Sequence, residues 1–129
     1  MSLNPISRDE MRQRKAVKDE ANRVLQVSTF VKHIYNGASS FADTSSETIY
    51  RFDAQHLQQH QPIIMANMEE IIQNLRNLFP GCLVEYKSVT FVMGNDRKQY
   101  DLSTLDEKLR PFINMQSQQT TNSIVIDWT

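Results

Sequence analysis

The sequence is poor in the residues that build several common sites. Its three glycines, Gly37, Gly81 and Gly94, lie too far apart for a G-x-G-x-x-G turn or a G-x-x-x-x-G-K-[ST] loop, which excludes Gly-rich phosphate cradles. Cys82 stands alone, so no internal disulfide can form. There is no N-x-[ST] sequon and no G-x-S-x-G nucleophile elbow. No apolar run approaches the roughly 18–20 residues that span a bilayer, so no membrane span is expected. The start, Met1 to Lys15, lacks the apolar stretch of a signal peptide and carries acids that a transit peptide avoids. These absences suggest a reducing, cytosol-like compartment. A charge excess of either sign is missing too: 14 Lys+Arg against 15 Asp+Glu leave a net charge of -1. A polybasic nucleic-acid binder would carry a large basic excess.

What is present is the composition of one folded domain. The 129 residues are 40% hydrophobic and 22% charged, which suits a single domain over 1–129. Residues 7 to about 36 read as a long helix. Ser7 and Glu10 fit a capping box, and Gly37 supplies a stop. Val17, Ala21, Val24, Leu25, Val31 and Tyr35 follow helical spacing, and Val27, Phe30 and Ile34 widen that apolar face. Arg8 to Arg23 is dense in charge, with six basic and four acidic residues, so this half should project while the second half packs.

Ala38–Ser46 reads as a loop, 48–52 as a short strand and 54–61 as a Gln/His-rich connector. Residues 62–79 carry the clearest amphipathic signal. Ile64, Met68, Ile71, Ile72, Leu75, Leu78 and Phe79 form one stripe, ended by Pro80 and Gly81. Cys82–Met93 alternates as a strand, with a phase switch near Lys87–Ser88 that predicts a bulge. Gly94–Asp96 is a turn, 97–101 a returning arm, 103–109 one or two helical turns ended by Pro111, and 114–122 a polar loop. Ser123–Trp128 closes as a strand with Ile124, Ile126 and Trp128 on one face. The order α-β-α-β-β-(short α)-β predicts an α+β fold: a small antiparallel sheet covered on one face by two helices.

Candidate chemistry is thin. His56 and His60 have the i, i+4 spacing of a metal pair, but neither an H-E-x-x-H pattern nor a cysteine pair accompanies them, and they read as a solvated connector. Cys82 reads as an inert core thiol. Asp96, Asp101, Asp106, Glu107 and Asp127 fall at turn, cap and strand-edge positions, with Asp101 or Ser103 a helix cap. No catalytic residue, metal or cofactor is assigned. The remaining candidates are Arg8, Arg12, Arg14, Lys15, Lys18 and Arg23, a partner-binding set on the first helix. Met65, Met68 and Met93 suit either an adaptable interface or core.

Three stretches carry a resemblance: Leu78-Phe79-Pro80-Gly81-Cys82, then Lys98-Gln99-Tyr100-Asp101-Leu102-Ser103 through Phe112-Ile113-Asn114, and the terminal Ile124-Val125-Ile126-Asp127-Trp128. With the charged N-terminal helix, they resemble a group of small uncharacterised proteins of the large nucleocytoplasmic DNA viruses. The resemblance covers most of the chain beyond about residue 10 and brings no catalytic residues. It implies a virus-encoded protein in the host cytoplasm and the particle, associated with capsid or core. The expectation is therefore a non-enzymatic structural or interaction protein, a minor virion component contacting other proteins of an assembly. The alternative is a nucleic-acid-associated factor using the basic helix.

Overall fold

A computed structural model describes residues 3–129. The chain runs α1 (Arg8–Thr44), β1 (Ile49–Asp53), α2 (Leu57–His60), α3 (Pro62–Ala66), α4 (Met68–Leu78), β2 (Leu83–Gly94) and β3 (Gln99–Asp101). Two 3-10 turns, Leu102–Thr104 and Glu107–Phe112, then lead into β4 (Ile113–Asp127). The strands form one sheet in the order β1-β4-β2-β3, every pair antiparallel. The fold is α+β, with helices over one face of the sheet, as the residue pattern predicts.

The first helix begins where its cap dictates. The Ser7 hydroxyl accepts from the Glu10 amide at 3.1 Å. The Glu10 carboxylate turns forward to Arg14 at 2.9 Å. The expected stop at Gly37 is wrong, and so is the loop over Ala38–Ser46: α1 continues to Thr44. Gly37 sits inside it for a tertiary reason. A Cβ there would lie 2.6 Å from the Tyr50 hydroxyl, so a side chain at this crossing would push the Tyr50 ring aside. Beyond that crossing, Phe41 packs on Tyr50 and Trp128, with centroids 5.6 and 6.1 Å away, and this holds the last turns helical. Aromatic contact thus outweighs the local preference of glycine for a helix end.

The stripe over 62–79 is real, but two helices carry it. Asn67 breaks the ladder because its amide side chain donates to the Ile63 carbonyl at 2.7 Å, in competition with the backbone. Ile64, Met68, Ile71, Ile72 and Leu75 are buried, Phe79 is packed at the margin, and Leu78 is exposed, contrary to its place in the expected stripe. Gly81 takes a left-handed φ of 83° just after the helix. The connector before α3 is less solvated than its composition suggests, because Ala54 and Leu57 enter the core.

The helices cover the sheet face bearing Val84, Ile124 and Ile126, which join Ile34, Ile71 and Leu75 in one cluster. The expected loop over 114–122 is a strand: Ser88, Val89 and Thr90 pair with Asn122, Thr121 and Thr120. Its exposed side chains leave no apolar alternation to read. The expected bulge at Lys87–Ser88 is absent, since that register is unbroken. The irregularity lies between Phe91 and Met93, where the partners jump from Gln119 to Asn114. The Ser117 hydroxyl accepts the Met93 amide there at 2.8 Å. In the β2–β3 turn the positive φ falls on Arg97, at 64°. The segment after β3 forms 3-10 turns, with Pro111 inside the second turn and not beyond it.

The opposite sheet face curls. Arg51 of β1 and Asp101 of β3 form an ion pair at 2.9 Å, with side chains only 18% and 9% exposed. Strands at opposite edges of a flat four-stranded sheet stand about 14 Å apart, beyond the reach of that pair. The sheet therefore coils so that its outer strands converge. Val89, Val125 and Ser123 are buried inside the curl.

Candidate functional site

Of the carboxylates considered for catalysis, Asp101 and Asp106 line one groove with Glu47, while Asp96 lines a separate hollow. Asp96 accepts from the Tyr100 hydroxyl and from the Lys98 amide, and these bonds, the hydroxyl first, hold its pKa below the usual carboxylate range. Asp101 pairs with Arg51 and caps the first 3-10 turn through the Ser103 amide at 2.9 Å. Asp106 caps the second through the Lys108 amide at 3.0 Å, and Asp127 accepts the Thr129 amide at 2.8 Å. Glu107 is in the first turn of that second 3-10 segment.

His56 precedes the single turn of α2 and His60 ends it, with rings 6.5 Å apart. His33 lies on α1, edge-on to Phe52. Among the described residues no group of three or more His, Cys, Asp or Glu draws together. Cys82 is half-buried against the core. Met68 is core, Met65 accepts the Tyr86 hydroxyl through its sulfur at 3.8 Å, and Met93 is exposed. No helix among the described residues is long and apolar enough to cross a membrane.

A groove of about 530 Å³ opens on the curled sheet face beside Arg51, Phe91, Tyr100 and Asp101. Its Arg51–Asp101 pair is already satisfied and ties the two sheet edges together.

The remaining site is the first half of α1. Residues 8–22 are exposed throughout, and the first buried residue of the helix is Val27. At 1.5 Å per residue the exposed arm of residues 8–22 extends about 22 Å. The six candidate cations differ in their surroundings. Arg14 pairs with Glu10 at 2.9 Å and Lys15 with Asp19 at 3.3 Å, both i, i+4 bonds that support the helix. Arg23 marks the boundary with the body. It donates to Glu20 at 2.8 Å, to Glu70 of α4 and to the Asn67 side-chain oxygen Oδ1 at 3.1 Å. The Arg23 hydrogen bond holds the Glu20 pKa down, and Glu20 and then Glu70 raise that of Arg23. Arg8, Arg12 and Lys18 form no ion pair among the described residues.

The arm also carries an apolar surface that charge counting missed. The helix packs on the body through Val27, Phe30, Val31, Ile34 and Ala38. Val17, Val24, Leu25 and Tyr35, expected on the packing face, are exposed; Val17 is 66% and Leu25 64% accessible. Val17, Ala21 and Val24 are spaced by four and three along the exposed side, and the same line continues through polar Ser28 to Val31, which is buried against the body, and Tyr35. That line runs down into a groove between α1 and α4 lined by Val31, Lys32, Tyr35, Asn74, Asn77 and Leu78. The signal was in the sequence: nine apolar positions are too many for one helix face. The chain matches no protein-family model, no curated protein and no solved structure in the three comparisons.

Proposed function

We propose that the chain is a non-enzymatic structural and interaction protein whose α1 arm docks on a neighbouring protein of an assembly. The observation that carries this reading is a 15-residue stretch of helix, 8–22, that extends beyond the body with apolar and charged residues along it. An ordered helix presenting Val17, Val24 and Leu25 to water is a surface awaiting a partner. The engagement of Asp96, Asp101, Asp106 and Asp127 as acceptors for nearby backbone amides supports the non-catalytic part.

The assembly we propose is a large DNA virus particle, assembled in host cytoplasm, with this chain a minor capsid- or core-associated component. That part rests on the resemblance at Leu78–Cys82, Lys98–Asn114 and Ile124–Trp128. Mass spectrometry of purified, cross-linked particles tests it. The expected result is stoichiometric presence of the chain, with cross-links from Lys15 and Lys18 to a neighbouring protein. Absence from particles, or turnover of a small substrate abolished by a single substitution, overturns it.

A nucleic-acid-associated role draws on Arg8, Arg12 and Lys18, whose charges have no ionic partner among the described residues. Its mark is binding that falls steeply with salt and fails when Arg12, Arg14 and Lys15 become Glu.

A further inference from the structure

We infer that the groove on the curled sheet face binds a small zwitterion with an apolar body, an apolar amino acid or a short apolar peptide with both ends free. The site is built on Arg51. Its Nε donates to Asp101 at 2.9 Å, and Asp101 is fully engaged, since its other oxygen accepts the Ser103 amide and hydroxyl. Arg51 is not. Its two terminal nitrogens donate to no group among the described residues. No buried side-chain nitrogen among those residues lacks a partner, so these two nitrogens reach open space, although the side chain is only 18% exposed. Arg51 lines the groove. The bond from Nε fixes the guanidinium plane, and its outer edge keeps two N–H donors side by side, the arrangement that takes a carboxylate.

The rest of the lining decides what else the ligand carries. Ile49, Phe91 and Leu105 are half-buried and give the groove an apolar wall, which calls for hydrocarbon. Glu47 and Asp106 line it as well. Neither forms an ion pair among the described residues, and Asp106 uses only Oδ1, on the Lys108 amide. Glu47, Asp101 and Asp106 against Arg51 leave the groove two net negative charges. A plain carboxylate is drawn to Arg51 and repelled by the two acids. A plain amine is drawn to the acids and leaves the guanidinium edge without an acceptor. A ligand with an ammonium and a carboxylate matches both and adds no net charge. The groove, about 530 Å³, is of the size that takes a small molecule.

Isothermal titration calorimetry of the full chain with leucine and with the dipeptide Leu-Leu tests the inference. At least one is expected to bind with a Kd below about 1 mM, and the tighter of the two tells a free amino acid from a peptide. The same ligand with its amine acetylated or its carboxylate amidated should bind at least about 10-fold more weakly in each case. Glu47→Gln with Asp106→Asn should weaken the free ligand about 10-fold and leave the acetylated form no weaker than before. Both positions are exposed and asparagine keeps the cap, so thermal melting should not move. Arg51→Lys keeps a cation for Asp101 and should lose the preference for the free carboxylate over the amide. No binding of either ligand up to about 10 mM, or blocked forms that bind as tightly as the free ones, overturns the inference. Hydrolysis of Leu-Leu overturns the non-enzymatic reading and supports this one.

Discussion

Residues 27–44 and residues 8–26 belong to one helix and are held by different forces. The C-terminal part is fixed by burial: Ile34 is 0% exposed, and Phe30 and Phe52 meet edge to face at 5.6 Å. The N-terminal part buries no apolar side chain in the single chain and relies on the Ser7 cap, the Glu10–Arg14 and Lys15–Asp19 pairs and the half-buried Arg23 tether. Exposed pairs of this kind contribute about 0.3–0.5 kcal/mol each. One half is a structural member, and the other is a segment whose order is marginal until something covers it.

The contrast is sharpest under truncation. Ile34→Ala should cost about 2–5 kcal/mol of global stability in denaturant titration, whereas Val17→Ala should stay within about 0.5 kcal/mol. Equal losses would show that the arm is packed after all. Gly37→Ala probes the half that burial controls. In an exposed helix that change stabilises by about 1 kcal/mol. Here the added methyl meets the Tyr50 hydroxyl, so the chain should lose about 1–3 kcal/mol, and Gly37→Ala with Tyr50→Phe should recover it.

On the arm, effects should be local. Ser7→Ala should cost the first turns about 1 kcal/mol of helix stability. Hydrogen exchange should quicken there while amides at Val27–Ala38 stay protected. The smallest effect is acid sensitivity at the arm base. The Glu20 pKa lies below its ordinary value of 4.5 because Arg23 donates to the carboxylate. The pair therefore supports the helix fully above that value and is lost as pH falls through the lowered one. Acid should loosen residues 19–26 before the core, and Arg23→Gln should remove that step.

The amphipathic run 62–79, the alternation in β2 and the final strand were legible because burial leaves a period in the residues. Three features were not. The continuation of α1 past Gly37 depends on Tyr50, thirteen positions away, and no local rule for glycine contains that contact. Strand 114–122 has polar side chains because most of it is exposed, so its order comes from backbone pairing with β2. The pairing of Arg51 with Asp101 needs the coil of the sheet, which no spacing records. At the candidate site, the six basic residues were legible as charge. The exposed apolar residues beside them were hidden by assigning all nine apolar positions to one face.

The kink where β4 slips from Asn114 to Gln119 against β2 has a protective consequence. Upstream of its pairing with β1 at Ser123, β4 has no strand partner on its outer side among the described residues. This Gln-, Thr- and Asn-rich stretch is the sort of sequence that stacks into fibrils when it stays straight. The surplus residues Met115–Gln118 crumple the rim and deny a growing fibril its template. Deleting them should straighten the rim and lengthen an open polar edge, a change that thioflavin fluorescence would read.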